Sequence, residues 1–284
     1  MTGSIYPQIE PGALALMVSD LSRSVDFYQE VIGLQVWQRA GAVAVLGTSS
    51  HQLLVLQEKP GARMAPHRTG LHHFNLLLPT RAALAQSLRH LIQTRSLITA
   101  FMDHGVSEAV FLADPDGYGL ALTCDRPRPM WTNFHGDLVI KLAPLDVDDL
   151  LAAAEDASGD WIALPEPTRI GSVNLTVNDL DQSQAFYCDV LGFRFTGELP
   201  GVRFFSAGDA HHHISLNTWS GRGALPPPPE SLRMIVFEML FPTSVSLAIL
   251  RARMEQARMA VESWHGGWLV HDPSQNPLLL RAVG

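Results

Sequence analysis

Residues Gly12 to Leu34 read GALALMVSDLSRSVDFYQEVIGL, and residues Gly171 to Phe193 read GSVNLTVNDLDQSQAFYCDVLGF. Overlaid at an offset of 159 residues, they share Gly12/Gly171, Val18/Val177, Asp20/Asp179, Leu21/Leu180, Ser24/Ser183, Phe27/Phe186, Tyr28/Tyr187 and Gly33/Gly192. So many coincidences in so short a window mark a duplicated domain, and a repeat of this kind takes precedence over local signals in deciding a fold. Each copy opens on an alternating run (Leu14, Leu16, Val18; Val173, Leu175, Val177) that predicts a strand with one buried face. Asp20 and Asp179 stand where an N-cap oxygen would receive the orphan N–H groups of a first helical turn. Val25, Tyr28 and Ile32 follow at helical spacing, and Gly33 or Gly192 fits the left-handed position that closes a helix. Short β runs come next, Val43 to Leu46 with Leu53 to Leu56, and Val202 to Phe205 with His213 to Trp219. The unit reads βαβββ.

A fainter unit closes each copy. HHFNLLLPTRAALAQSLRHL from His72 and IVFEMLFPTSVSLAILRARM from Ile235 both run from a strand into a helix, with Pro79-Thr80 and Pro242-Thr243 at the corner. Asp114-Pro115-Asp116-Gly117-Tyr118-Gly119 and Asp272-Pro273-Ser274-Gln275-Asn276-Pro277 each sit between two apolar runs, as tight turns do. The expected architecture is α+β: two tandem domains, each of paired βαβββ units forming an open β-barrel. The first pair spans 8–126 and the second 168–284. The segment 127–167 between them is a packed connector with one helix, Val147 to Ala157, and Pro226 to Pro229 forms a stiff extended spacer.

Composition narrows the function classes. The 284 residues are 46% hydrophobic and 17% charged, which excludes disordered and fibrous classes. A net charge of −8 with no basic stripe argues against nucleic acid as a partner. No apolar run approaches the roughly 18 residues of a membrane span, and Met1-Thr2-Gly3-Ser4 lacks a signal pattern. A cytoplasmic location is therefore expected, in keeping with only two cysteines, Cys124 and Cys188, read as reduced thiols.

Four βαβββ units, the DL-x-x-S-x-x-FY helix start and the Asp114-Pro115-Asp116-Gly117 turn resemble the vicinal oxygen chelate superfamily of glyoxalases, bleomycin-resistance proteins and extradiol dioxygenases. The strings EKPGARMAPHRTGLHHFNLLLP, DHGVSEAVFLADPDGYG and HHHISLNTWSGRGALPPPP, with the DRPRPMW that follows the first domain, are similar to a two-domain bacterial catechol 2,3-dioxygenase-like group. Extradiol cleavage needs Fe(II) or Mn(II) on a facial two-His-one-carboxylate triad. The resemblance places those three ligands at His73, Ala121 and Ser172, so only His73 is retained and the carboxylate is lost. It implies no bound metal and no cofactor, unless Fe(II) or Mn(II) is held by a site rebuilt from His72, His104, Glu108 and the run His211, His212, His213.

The surviving polar residues define the candidate site. The resemblance matches His212 to the acid/base histidine of extradiol enzymes, and imidazole titrates in the range that such a role needs. The alternative reading is a strand whose histidines cap the barrel mouth, with alternation setting His212 opposite His211 and His213. His104 reads either as a hydrogen-bonding or acid/base residue oriented by Asp103, or as part of a turn made by Asp103 with Gly105. His73, His104, His211, His212, His213, Asn217 and Trp219 are the expected ligand-binding residues. For Trp219 plain core is the competing reading, and Asn217 needs a partner if buried. His51, His67, His90, His135, His265 and His271 read as surface or structural. Three functions remain open: a metal-free binder of a small aromatic or hydrophobic molecule, a metal-free acid/base enzyme using His212 or His104, and a metal-dependent dioxygenase with a rearranged site. No membrane or nucleic-acid partner is expected, and a homo-oligomer is compatible with each.

Overall fold

In the computed structural model, which describes residues 9–132, 138–154 and 161–283, the four βαβββ modules are all present. The first holds β1 (Glu10–Val18), α1 (Leu21–Asp26), β2 (Gln35–Ala40), β3 (Val43–Gly47) and β4 (Gln52–Glu58). The second holds β5 (Gly70–Leu77), α2 (Arg81–Gln93), β6 (Ile98–Asp103), β7 (Ser107–Ala113) and β8 (Gly119–Asp125). The connector contributes β9 (Ala143–Pro144) and α3 (Val147–Ala152). The third module holds β10 (Arg169–Thr176), α4 (Leu180–Ala185), β11 (Arg194–Leu199), β12 (Val202–Ser206) and β13 (Ile214–Asn217). The fourth holds β14 (Met234–Phe241), α5 (Ser244–Gln256), β15 (Glu262–Trp264), β16 (Gly267–His271) and β17 (Pro277–Ala282). The fold is α+β.

The helix starts follow the sequence. Asp20 accepts from Arg23 N, Asp179 from Asp181 N and Gln182 N, Thr80 from Ala83 N and Thr243 from Ser246 N. Gly33 and Gly192 take φ of +88° and +81°, which only glycine adopts without strain. Between cap and glycine, each first-repeat helix widens into a π turn, Phe27–Val31 and Phe186–Val190. The predicted connector helix is shorter than expected, ending at Ala152; residues 155–160 lie outside the described set.

Contacts divide the chain into two bodies. One comprises Met17–Arg63 and His73–Gly171; the other comprises Met1–Leu16, Met64–His72 and Ser172–Gly284. In the first body, β5 and β8 run parallel while β8, β7 and β6 are antiparallel neighbours, and β9 joins the edge at β6. In the connector segment Leu145, Leu150 and Leu164 are buried, and Trp161 stacks on His90 at 3.5 Å between ring centres. In the second body, β10 and β14 run parallel to β13 and β17. These are the last strands of their own modules. Strand β1 lies antiparallel to β14, with Leu14 opposite Phe237 and Ala15 opposite Val236. Its register slips between Pro11 and Leu14, where Ala13 N donates to Glu238 Oε2 at 3.1 Å. A Cβ on Gly12 would lie 2.5 Å from that oxygen, so a side chain there would have to displace Glu238. Strand β1 is buried on both faces rather than one: Leu14, Ala15, Leu16, Met17 and Val18 are all buried, without alternation.

The two Asp-Pro turns are built alike. Asp114 Oδ1 accepts Asp116 N at 2.9 Å and Tyr118 N at 2.8 Å, while Oδ2 accepts the Tyr28 hydroxyl at 3.0 Å. Asp272 Oδ1 accepts Ser274 N and Asn276 N, each at 2.8 Å, while Oδ2 accepts the Tyr187 hydroxyl at 3.2 Å. Both tyrosines are fully buried, and each comes from the π turn of its own copy.

Candidate functional site

In the first body, strand β5 carries His73 opposite Gly119 of β8, and the next pair on that face is Asn75 with Ala121. Ala121 is fully buried and also faces Phe111 across β7. The Phe111 ring gathers two of the expected residues, meeting His73 edge-on at 5.3 Å and His104 at 6.0 Å. His104 follows β6 in a tight turn, its N–H donating to Ser107 O and its carbonyl accepting Lys141 N.

The Asp103 carboxylate accepts Gly105 N at 2.8 Å and pairs with Lys141 at 2.7 Å and Arg126 at 3.4 Å. Burial works against ionisation, but these partners together hold the Asp103 carboxyl below its ordinary value. The Asp103-Gly105 turn is therefore present. Glu108, one of the candidates for a rebuilt metal site, is buried with Arg81 Nε on one oxygen at 2.7 Å and Arg126 on the other at 3.0 Å. A carboxylate committed to two guanidinium groups is a poor metal ligand. Among the described residues, no three His, Cys, Asp or Glu side chains gather as a metal would require.

In the second body, the three consecutive histidines precede β13 in a bend rather than lying within it. Strand alternation therefore does not separate them: His211 Nδ1 and His212 Nδ1 are 2.7 Å apart, within hydrogen-bond distance. His212 also leans on Phe204, with ring centres 5.1 Å apart. His213 Nδ1 accepts Ala207 N at 3.2 Å, which places the proton of the neutral ring on Nε2. Trp219 is not core. It is 54% exposed in the turn after β13, edge-on to His72 at 4.6 Å.

Asn217 is fully buried and has the partners its burial demands. Its Oδ1 accepts Thr176 Oγ1 at 3.2 Å and Trp219 N at 3.0 Å, and its Nδ2 donates to Asn174 Oδ1. Asn174 Nδ2 in turn donates to Ser215 Oγ at 2.7 Å. With Ser172, these residues make one face of β10 and β13 polar and buried, at 0–5% exposure. Sequence reasoning missed Asn174, Thr176 and Ser215, although their alternation with Val173, Leu175 and Leu216 was the available signal. Of the remaining histidines, His90 stacks on Trp161 and His51 contacts Glu166 at 3.4 Å, while His135 lies outside the described residues.

Four βαβββ modules, each pairing its first strand with its last, together with twin Asp-Pro turns, are the vicinal oxygen chelate architecture. The chain belongs to the Glyoxalase/Bleomycin resistance protein/Dioxygenase superfamily, whose sequence model matches residues 11–122 and 169–273. It is 38% identical over 276 residues to a catechol-2,3-dioxygenase of Bacillus subtilis (strain 168), covering 95% of this chain and 96% of that one. Among solved structures, glyoxalase I from Zea mays superposes with a TM-score of 0.60 at 16% identity, over 96% of this chain and 92% of that one. The cppA protein of Streptococcus pneumoniae TIGR4 does so at 0.55 and 14%, over 98% of each chain. No helix among the described residues is long and apolar enough to cross a membrane.

Proposed function

We propose that this catechol 2,3-dioxygenase-like chain binds a small aromatic molecule and does so without the three-ligand iron centre of extradiol enzymes. The carrying observation is the residue pair at the positions where the family resemblance puts two metal ligands. Ala121, fully buried beside Phe111, offers no donor, and Ser172 offers only a neutral hydroxyl. A hard divalent cation needs a charged oxygen ligand and near-complete coordination. His73 alone supplies neither, and Glu108, a buried carboxylate of the same body, is held by two arginines. These residues therefore do not fit the metal.

A second reading has its own support. The 38% identity to a protein named catechol-2,3-dioxygenase, over nearly the full length of both chains, favours ring cleavage at a rearranged site. A metal-free acid/base role rests on His212, whose Nδ1 lies 2.7 Å from His211 Nδ1, a neighbour that can hydrogen-bond to it. Anaerobic loading with Fe(II), followed by elemental analysis and assay with catechol, separates these readings. The expected result is well under one iron per chain and no yellow ring-cleavage product. Near-stoichiometric iron with that product would establish the rearranged dioxygenase instead.

A further inference from the structure

We propose that the run Leu225-Pro226-Pro227-Pro228-Pro229 is a docking ridge for a partner protein whose groove is lined by parallel aromatic side chains, the chemistry that reads a polyproline II helix. The inference goes beyond the small-aromatic reading above and does not depend on it.

The backbone of this run follows from its sequence. A proline ring holds φ at about −65°, and a residue that precedes proline is confined to extended ψ values. Pro226, Pro227 and Pro228 meet both conditions, which leaves them the left-handed polyproline II helix of about three residues per turn. The structure agrees, since the run lies outside every helix and strand and its burial repeats at every third residue. Ala224 and Pro227 turn partly inward, whereas Leu225, Pro226, Pro228 and Pro229 are exposed, Leu225 at 64%. Two outward edges result, Leu225 with Pro228 and Pro226 with Pro229, the members of each pair one turn apart.

A spacer only has to connect its ends. This run is fastened at both ends and open in the middle. The Leu225 carbonyl accepts Thr69 N at 3.1 Å. The Pro228 carbonyl accepts Ser231 N at 3.0 Å and the Ser231 hydroxyl at 2.7 Å, and the Pro229 carbonyl accepts the Arg233 guanidinium. Ser231 and Leu232, both buried, anchor the exit. Between these tethers, the carbonyls of Pro226 and Pro227 accept no hydrogen bond from any described residue. A helix already fixed in its bound form loses little entropy when a groove closes on it. Its two apolar edges suit the faces of aromatic rings, and its two open carbonyls suit the N–H or O–H of a groove tryptophan or tyrosine.

The test titrates the full chain into an isolated SH3 domain, a probe with such a groove, followed by calorimetry and by the amide shifts of the domain. Wild type is expected to bind saturably at one to one, with shifts confined to the aromatic groove. Replacing the outward prolines together, Pro226→Ala with Pro229→Ala, should weaken binding by about tenfold or more, and Pro227→Ala, at the inward position, by less than about threefold. Circular dichroism and a thermal melt establish that each variant is folded; if the double variant is not, Pro229→Ala alone decides. No saturable binding by wild type at millimolar concentrations overturns the proposal. So does undiminished binding by the folded outward variant, or an equal loss in the outward and inward variants. The small-aromatic reading stands or falls separately, on ligand binding by the same wild-type chain.

Discussion

The Asp114 turn and the Asp272 turn perform the same structural task with different chemistry around them. In the first, Asp116 accepts from Ser19 N at 2.8 Å and pairs with Arg23 at 2.5 Å, and the Tyr118 hydroxyl reaches Met17 O at 2.8 Å. In the second the same places are neutral: the Ser274 hydroxyl accepts from Asn178 N at 2.9 Å, and Asn276 Nδ2 donates to Thr176 O at 3.5 Å. Charge at the rim is therefore interchangeable. What both turns keep is the buried aspartate with two backbone N–H groups on one oxygen and a tyrosine on the other, so that geometry is what ties the last strand of one module to the first helix of another.

Removing the aspartates should have the largest effect on this comparison, and an unequal one. Asp272 receives four hydrogen bonds, because Asn276 Nδ2 also donates to it at 2.8 Å, whereas Asp114 receives three. Asp272→Ala is expected to cost about 3–5 kcal/mol and Asp114→Ala about 2–4 kcal/mol, since buried donors lose an acceptor. Urea unfolding measures both. A loss below about 1 kcal/mol in either would mean that the turns are held by something else.

Acidity gives the next effect. Burial pushes the carboxyls of Asp114 and Asp272 up to about 6, against the pull of their hydrogen bonds. Each native carboxyl then keeps a proton that the unfolded chain, titrating near 3.8, has released. Stability from these two groups is greatest at low pH, falls as pH rises between those values and is level above them. Asp114→Asn removes one such group while preserving shape. Relative to wild type, the variant should gain about 2–3 kcal/mol on going from about pH 4 to about pH 7. Parallel urea melts across that range check it, and a pH-independent difference would contradict the buried, proton-retaining carboxyl.

The tyrosines sharpen the comparison by reversing its order. In Tyr28→Phe, Asp114 Oδ2 loses its hydroxyl donor, whereas in Tyr187→Phe, Asp272 Oδ2 keeps Asn276. The first should cost about 1–2 kcal/mol and the second about half as much. Equal losses would show that the extra amide in the second turn does not compensate.

Much of the frame was legible in the residues themselves. Asp20, Asp179, Thr80 and Thr243 cap the helices their positions suggest, and Gly33 and Gly192 take the left-handed turn. These are local signals, set by a few neighbouring residues. The π turns were not legible, because the tyrosine each one presents bonds an aspartate some 85 residues further along the chain. At the site, His73 and Asn217 could be picked out as polar residues on apolar strands. The bend before β13 that joins His211 to His212, and the outward turn of Trp219, were not legible, since both break the alternation from which they would have been inferred. The polar face of β10 was hidden for the opposite reason. Its alternation is perfect, and an alternating strand reads as half exposed until a second layer is known to cover it.

The pairing of β1 with β14 carries a consequence in time. Glu10 sits opposite Leu240, so the ribosome finishes the first strand long before it begins that strand's partner. At about 5–20 residues per second, the N-terminal strand waits roughly ten to fifty seconds after its own synthesis. Throughout that interval the edge of β1 opposite β4 lacks its partner, and an unpaired strand edge is the kind of feature that recruits neighbouring chains or a chaperone. The protein is thus most vulnerable while it is being made.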